Sequence, residues 1–307
     1  MTNRVFYKTL KLIFGGFFYF LSMQLRYWFL LILLGAIWGS SFMFIKIATP
    51  EFGPITLVGL RLLLAGSLFL PFLLMPKYLK QVQGHKKKIL FLSLFNTAIP
   101  FTLFSYASLT SNSNMLAILN SSAALFTMVV AYFWINEQVS KKQVFGLIIG
   151  FIGIIVLVNP FNAQTTLLAS LACLLAAACY GTANVFIQKF ATEVNKLVLI
   201  GWSLIIGGLI YLPYTILSFP EVTPSKEAIM SLIWLGAVGT GLAFIGYIRL
   251  IEKIGAVRTS TVAYFLPVFG IIWGNIFLNE QVTYIVVIGC FMVLTGIFVA
   301  IQANQQL

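Results

Sequence analysis

The side chains able to do chemistry in this chain are few enough to take one by one. It has 7 acidic residues, all glutamates: Glu51, Glu137, Glu193, Glu221, Glu227, Glu252 and Glu280. All of them fall in polar stretches or at the edges of apolar runs. The one histidine, His85, sits among lysines. Cys173, Cys179 and Cys290 lie inside apolar runs with no metal-ligand spacing and no disulfide framework, so they read as small packing residues. Hydrolytic chemistry needs a nucleophile with a base, a carboxylate pair or a metal cluster, and this inventory assembles none of them. No metal site and no cofactor is expected. Proton movement within a membrane usually relies on an ionisable carboxylate held there, and none of the seven glutamates lies in the middle of an apolar run.

What remains are amides, hydroxyls and aromatic rings inside apolar runs. Tyr180, Asn184 and Gln188 recur every four residues and share one helical face. Trp38 and Ser41 share another, as do Ser260, Tyr264 and Pro267, and Asn96 with Pro100. Lipid penalises such stripes, so they should face a bundle interior. At about 1.5 Å per residue, Trp38 and Tyr180 each fall roughly 18–20 Å from the face where their helix starts. A central substrate-binding pocket bounded by Trp38, Ser41, Asn96, Tyr180, Asn184 and Tyr264 is therefore expected. Rings would hold the apolar part of a solute, and amides and hydroxyls its polar part. Interhelical hydrogen bonding explains any one of these residues equally well. With no fixed charge expected on this wall, a strongly anionic solute such as a sugar phosphate is disfavoured.

Three other charged positions call for a reading. Arg61 lies about two turns into an apolar run, as a substrate or gate contact or as a structural charge that snorkels or pairs with Glu51. Lys46 is expected to snorkel at a helix edge. Glu137 and Glu280 are expected to cap the helices that follow them.

These residues need a membrane-embedded frame. The chain of 307 residues is 60% hydrophobic and 8% charged, against about a quarter charged in soluble domains. Its net charge of +12 comes in short clusters rather than a stripe, which suits an anionic membrane face and not nucleic acid. Ten runs are long enough to cross: 27–47, 55–75, 89–109, 115–135, 143–159, 167–188, 197–217, 228–248, 257–278 and 283–301. Polar or proline-containing stretches separate them, including Pro76 to Lys88. Ser140 with Gln143 reads as a capping box at the start of the fifth helix. Lysines and arginines gather after the even-numbered helices (Lys77 to Lys88, Lys141, Lys142, Lys189, Lys196, Arg249, Lys253, Arg258). Those loops and both termini are accordingly placed in the cytoplasm. Residues 1–25 form an N-terminal extension whose apolar stretch is too short to span, and Met23 offers an alternative start.

The chain also repeats itself. Asn136-Glu137-Gln138-Val139, Gly146 and Gly153 recur as Asn279-Glu280-Gln281-Val282, Gly289 and Gly296 at an offset of 143. Gly59, Gly66, Leu70 and Pro71 recur as Gly201, Gly208, Leu212 and Pro213 at an offset of 142, as does Trp38-Gly39 in Tyr180-Gly181. Five helices per half make the second half enter the membrane in the opposite sense. Inverted repeats of this kind are a common construction of secondary transporters.

Trp38-Gly39-Ser40-Ser41, Arg61, the two Asn-Glu-Gln-Val junctions and the glycines after them resemble the EamA type of the drug/metabolite transporter superfamily, over roughly residues 26–301. The resemblance implies an all-α polytopic membrane protein of ten transmembrane helices. They would form two inverted five-helix repeats, 26–160 and 165–302. It further implies a carrier of small organic metabolites, amino-acid-like or amphipathic, in the export direction, rather than an enzyme. One departure is Ala124, where family members often carry a proline that bends helix 4; the helix 9 equivalent, Pro267, is present. The expected partners are a small-molecule solute and membrane lipids, with no nucleic acid and a homodimer left open. The expected location is the inner (plasma) membrane, multi-pass. The other readings left open are a membrane-embedded lipid-processing enzyme and a non-transporting scaffold.

Overall fold

The computed structural model describes residues 25–158, 164–255, 259 and 261–304, with side chains to residue 300. The N-terminal extension, Ser260 and Arg258 lie outside the described residues. Among the described residues ten helical spans follow one another: α1 Leu25–Phe52, α2 Pro54–Ser67 with a further turn at Leu70–Leu73, α3 Pro76–Ser108, α4 Ser113–Ile135 and α5 Lys141–Leu157. The second half supplies α6 Leu167–Phe190, α7 Lys196–Leu217, α8 Lys226–Ile254, α9 Val262–Leu278 and α10 Tyr284–Asn304. Six are long and apolar enough to cross a membrane by length and composition: α1, α3, α4, α6, α7 and α8. Large apolar side chains such as Phe133, Phe145, Ile155, Leu217 and Phe291 stand exposed, as lipid-facing surface does.

Local chemistry sets the helix starts. Ser140 accepts from the Gln143 amide at 3.3 Å, and the Gln143 side chain accepts from the Ser140 amide at 2.7 Å, completing the expected capping box. Thr166, Asn195 and Ser225 cap α6, α7 and α8 in the simpler way. Helix α2 opens with Pro54 after Gly53, whose φ of 74° only glycine adopts freely.

The stretch Pro76 to Lys88, read above as a connection, is helical on both sides of a kink at His85, whose φ of −128° and ψ of 19° leave the helical range. Proline at the first position is pre-organised for a helix. Tyr78 and Val82 pack against a cluster containing Val194 and Val198, while Lys77, Lys80, Lys86 and Lys87 stay exposed. Hydropathy missed this amphipathic turn because its apolar face is too narrow to look like a span. The remaining spans agree with expectation to within about six residues, and the expected start of α9 at 257 lies outside the described residues.

Two helices carry wide π-helical turns at matching places, Ser93–Ala98 in α3 and Trp234–Leu242 in α8. A continuous α-helix would need the amide of residue 100 to reach the Asn96 carbonyl, and Pro100 has no N–H to offer. The Ile99 amide instead reaches back to the Leu94 carbonyl. Helix α4 breaks at Ser122 without the family's proline. Ser121 donates its hydroxyl to the Ala117 carbonyl at 3.2 Å, and Ser122 to the Leu119 carbonyl at 2.6 Å. Serine back-bonding of this kind bends helices.

The halves pack reciprocally. A Cβ at Gly59 would strike Tyr211 and Thr215 of α7; one at Gly201 would strike Phe69 and Leu73 of α2. Gly66 meets Ile205 and Gly208 meets Leu63 in the same way. On α5 and α10, Gly146 faces Gly296, and Gly153 faces the Gly289 carbonyl with Met292 and Val293. These are close helix approaches that only small residues allow. Gly39 of α1 lies against α9, and Gly181 of α6 lies against α4. Each contact has its twin with the halves exchanged, which is the signature of an inverted repeat.

Candidate functional site

A cavity of about 530 Å³ sits between the two halves, and all ten helices contribute to its wall. Trp38, Ser41, Asn96, Tyr180, Asn184 and Tyr264 all line it. The Trp38 ring packs 5.1 Å from Tyr247 and 6.0 Å from Phe244, centroid to centroid, which fixes its plane. Tyr180 stacks on Phe104 at 6.2 Å. The Asn184 amide donates to the Thr127 hydroxyl at 3.3 Å, tying α6 to α4. Ser41 donates to its own helix at the Ile37 carbonyl and lies 2.9 Å from where a Cβ of Gly239 would sit. The π turn of α8 thus approaches α1 closely because residue 239 has no side chain. Asn96 is presented by the equivalent π turn of α3. Gln188, Pro100 and Pro267 are not on the wall: Gln188 is exposed, and both prolines are buried.

Arg61 corrects the expectation that no fixed charge lines this wall. Its side chain is only 5% exposed and borders the cavity. Nε donates to the Thr240 hydroxyl at 2.9 Å, and the guanidinium lies 4.1 Å over the Phe101 ring. It neither snorkels nor pairs with Glu51. The Glu51 carboxylate accepts from the amide and hydroxyl of Ser225, both at 2.6 Å, at the start of α8.

Two further expectations fail at the lysine-poor end of the bundle. Lys46 does not snorkel into solvent; it donates to the Ser111 carbonyl at 2.6 Å and the Ser108 carbonyl at 3.2 Å, where α3 ends. Glu280 does not cap α10. Its carboxylate crosses to the start of α4 and accepts from the Ser113 amide at 2.6 Å, the Ser113 hydroxyl at 3.0 Å and the Asn114 amide at 3.0 Å. The first amides of α4 point at an anion, which suits the dipole. Gln164 closes the same end by donating to the Gln281 carbonyl at 2.7 Å while its own carbonyl takes the Asn112 amide.

Ten helices in reciprocal halves with a cavity at their seam is the geometry on which the comparison with known proteins bears. The model of the EamA-like transporter family matches residues 25–159 and again residues 167–302. The chain belongs to this family. Among EamA-like relatives, it is 27% identical to the transporter YoaV of Bacillus subtilis (strain 168), over 85% of this chain and 92% of that protein. It is 25% identical to a Salmonella typhimurium (strain LT2) protein named "Probable amino-acid metabolite efflux pump", over 88% of this chain and 93% of the other. A solved crystal structure shares the fold with a TM-score of 0.64 at 18% identity, covering 90% of this chain and 97% of that one.

Some wall residues of this EamA-like protein escaped sequence reasoning. Thr127 of α4 stands alone in apolar sequence, and Asn120 sits in an Asn120-Ser121-Ser122 run with no four-residue polar spacing to mark a stripe. Gln143 was accounted for by its capping role, yet it is buried and also borders the cavity. Phe101, Phe244 and Tyr247 carry no signal that separates a cavity aromatic from a lipid-facing one.

Proposed function

We propose that this protein is a secondary carrier, not an enzyme, that exports small amino-acid-like or amphipathic metabolites across the cytoplasmic membrane by alternating access. The observation that carries the reading is the position of the cavity, walled by both halves of an inverted repeat. Rocking one half against the other then changes which end is open without rebuilding the site. The six polar and aromatic residues of the wall, with Arg61, are the proposed substrate contacts. By the positive-inside rule the lysine-rich end is cytoplasmic. The cavity extends toward that end, reaching Gln143 in the first turn of α5 and Ile187, Ile200 and Ala300. The lysine-poor end is held by Lys46, Gln164 and Glu280. This arrangement supports an inward-facing conformer that loads from the cytoplasm. The printed name of the Salmonella relative supports efflux of amino-acid-like compounds.

Counterflow in proteoliposomes against a metabolite panel tests the reading. Saturable exchange of an amino-acid-like solute is expected; no exchange of any compound under any gradient would return the chain to the scaffold reading. Orientation is tested separately at Gly84, around which a new side chain meets open space. Gly84→Cys should resist an impermeant thiol reagent applied to intact cells, and efficient labelling would invert the topology.

A further inference from the structure

We propose that Arg61 is the carboxylate-binding residue of the cavity, so that the transported solutes are amphipathic monocarboxylates, zwitterionic amino acids included, and not amines lacking that group. The proposal deepens the carrier reading and rests on it.

A guanidinium stays charged under any physiological condition and carries five N–H donors. In Arg61 one donor is spent on Thr240, and one face is covered by Phe101. Among the described residues no carboxylate or carbonyl takes the remaining four. The sequence could not supply a counter-ion nearby: it has no aspartate, and every glutamate lies at an end of the bundle or beyond it. Glu51 and Glu280 are committed to helix starts, and Glu193 to Lys88. A charge that is 5% exposed inside a membrane bundle and lacks a counter-ion is costly. The cost is relieved when something anionic enters the space it borders.

The wall restricts what that anion is. Among the described residues Arg61 is the cation bordering the cavity; Lys46 is turned away onto the backbone of α3. A doubly charged phosphate would bring a second negative charge with no second cation to meet it, whereas a single carboxylate matches the guanidinium fork with two parallel hydrogen bonds. Around it stand Trp38, Phe104, Tyr180, Phe244 and Tyr247, a surface for an apolar or aromatic body. Tyr180 lines the same cavity as Arg61 and offers a phenol to the solute. Among the described residues no glutamate lines the cavity to receive a cation, so an amine without a carboxylate would meet like charge and find no counter-ion.

Three probes of one shape separate the charges: 3-phenylpropionate, phenylalanine and phenethylamine, with inorganic phosphate as a fourth. The purified full-length protein should be thermally stabilised by the first two, and not by phenethylamine or phosphate. Arg61→Gln should weaken both carboxylates by about tenfold or more, the scale of a hydrogen bond to a charged group. Arg61→Lys should retain part of the binding, and this conservative variant guards against misreading a folding defect. Equal stabilisation by phenethylamine, no carboxylate binding to the folded native protein, or unchanged affinity in Arg61→Gln would each overturn the assignment. Flux of the same probes in liposomes separates the two readings. Carboxylate binding without flux would remove the carrier and keep the site. Flux of phenethylamine in preference to phenylpropionate would keep the carrier and remove the site.

Discussion

The two Asn-Glu-Gln-Val junctions have identical sequences and nearly identical backbones, yet their glutamates do different things. Asn136 and Asn279 both adopt the left-handed conformation at φ 53°. In each, the glutamate amide reaches back to a carbonyl six residues earlier, Ala131 or Gly274. Glu280 is 6% exposed and clamps the start of α4, whereas Glu137 is partly exposed and makes no side-chain hydrogen bond among the described residues. One methyl group helps to explain the difference. A Cβ at Gly274 would sit 2.5 Å from the Glu280 carboxylate and 2.7 Å from the Ser113 hydroxyl; the equivalent position in the first half is Ala131. A repeated motif thus encodes a turn, and its neighbours decide what the side chain grips.

The strongest way to break this comparison is to remove each charge in turn. Glu280→Gln should lower stability by about 2–4 kcal/mol, because two amides and a hydroxyl lose a buried anionic acceptor. Glu137→Gln should stay within about 0.5 kcal/mol. Thermal unfolding in detergent reads both, and equal losses would mean that the junctions are equivalent after all.

Exchanging the methyl group sharpens the point. Gly274→Ala should cost about 1–3 kcal/mol through overpacking against Glu280, despite alanine's better helix propensity. Ala131→Gly should cost only about 1 kcal/mol, the propensity difference alone.

Lys46 and its counterpart at an offset of 142, Gln188, repeat the contrast more weakly: the lysine ties α1 to the end of α3, and Gln188 is exposed. Lys46→Gln should loosen the lysine-poor end. Labelling of a cysteine placed at Ile45 by an impermeant reagent should rise about fivefold, the shift that about 1 kcal/mol produces. Gln188→Lys should leave that labelling unchanged.

The smallest effect belongs to the opposite end, where Lys88 and His85 meet Glu193. The hydrogen bond from Lys88, followed by one from the backbone, holds the Glu193 carboxyl below the usual range. Its contribution to stability is therefore complete above about pH 4.3, the unperturbed glutamate value, and is lost as pH falls through the lower folded value. The difference in melting temperature between Lys88→Met and the native protein should be flat between about pH 8 and 9, above the range in which the neighbouring His85 changes charge. The difference should shrink in acid, and one that stays constant down to about pH 3 would assign the clasp to another group.

Much of this molecule was legible because lipid imposes a coarse code. Run length and separators place the helices, and a four-residue spacing puts Tyr180 and Asn184 on one face. Fixed offsets between glycines foreshadow the reciprocal packing of α2 with α7. What stayed hidden depends on a second helix. Nothing local to Arg61 reveals that Thr240, 179 residues away, would take its Nε. Nothing near Glu280 points to Ser113, 167 residues distant. The bend of α4 was obscured for a different reason: proline is its usual mark, and two serines achieve it here by bonding to their own carbonyls.

The wide turns of α3 and α8 carry a consequence for anyone editing or aligning this chain. Each holds more residues per turn than its flanks, so the helical phase beyond it is offset by about 100° for every extra residue. Deleting one residue between 93 and 98 would take away the extra residue that lets α3 pass the missing Pro100 amide, and the proline ring would press on the carbonyl four residues before it. The loops would keep their lengths and the composition would hardly change, yet the wide turn that presents Asn96 would be lost. In these two helices, residue count is a structural variable in its own right, independent of which residues are counted.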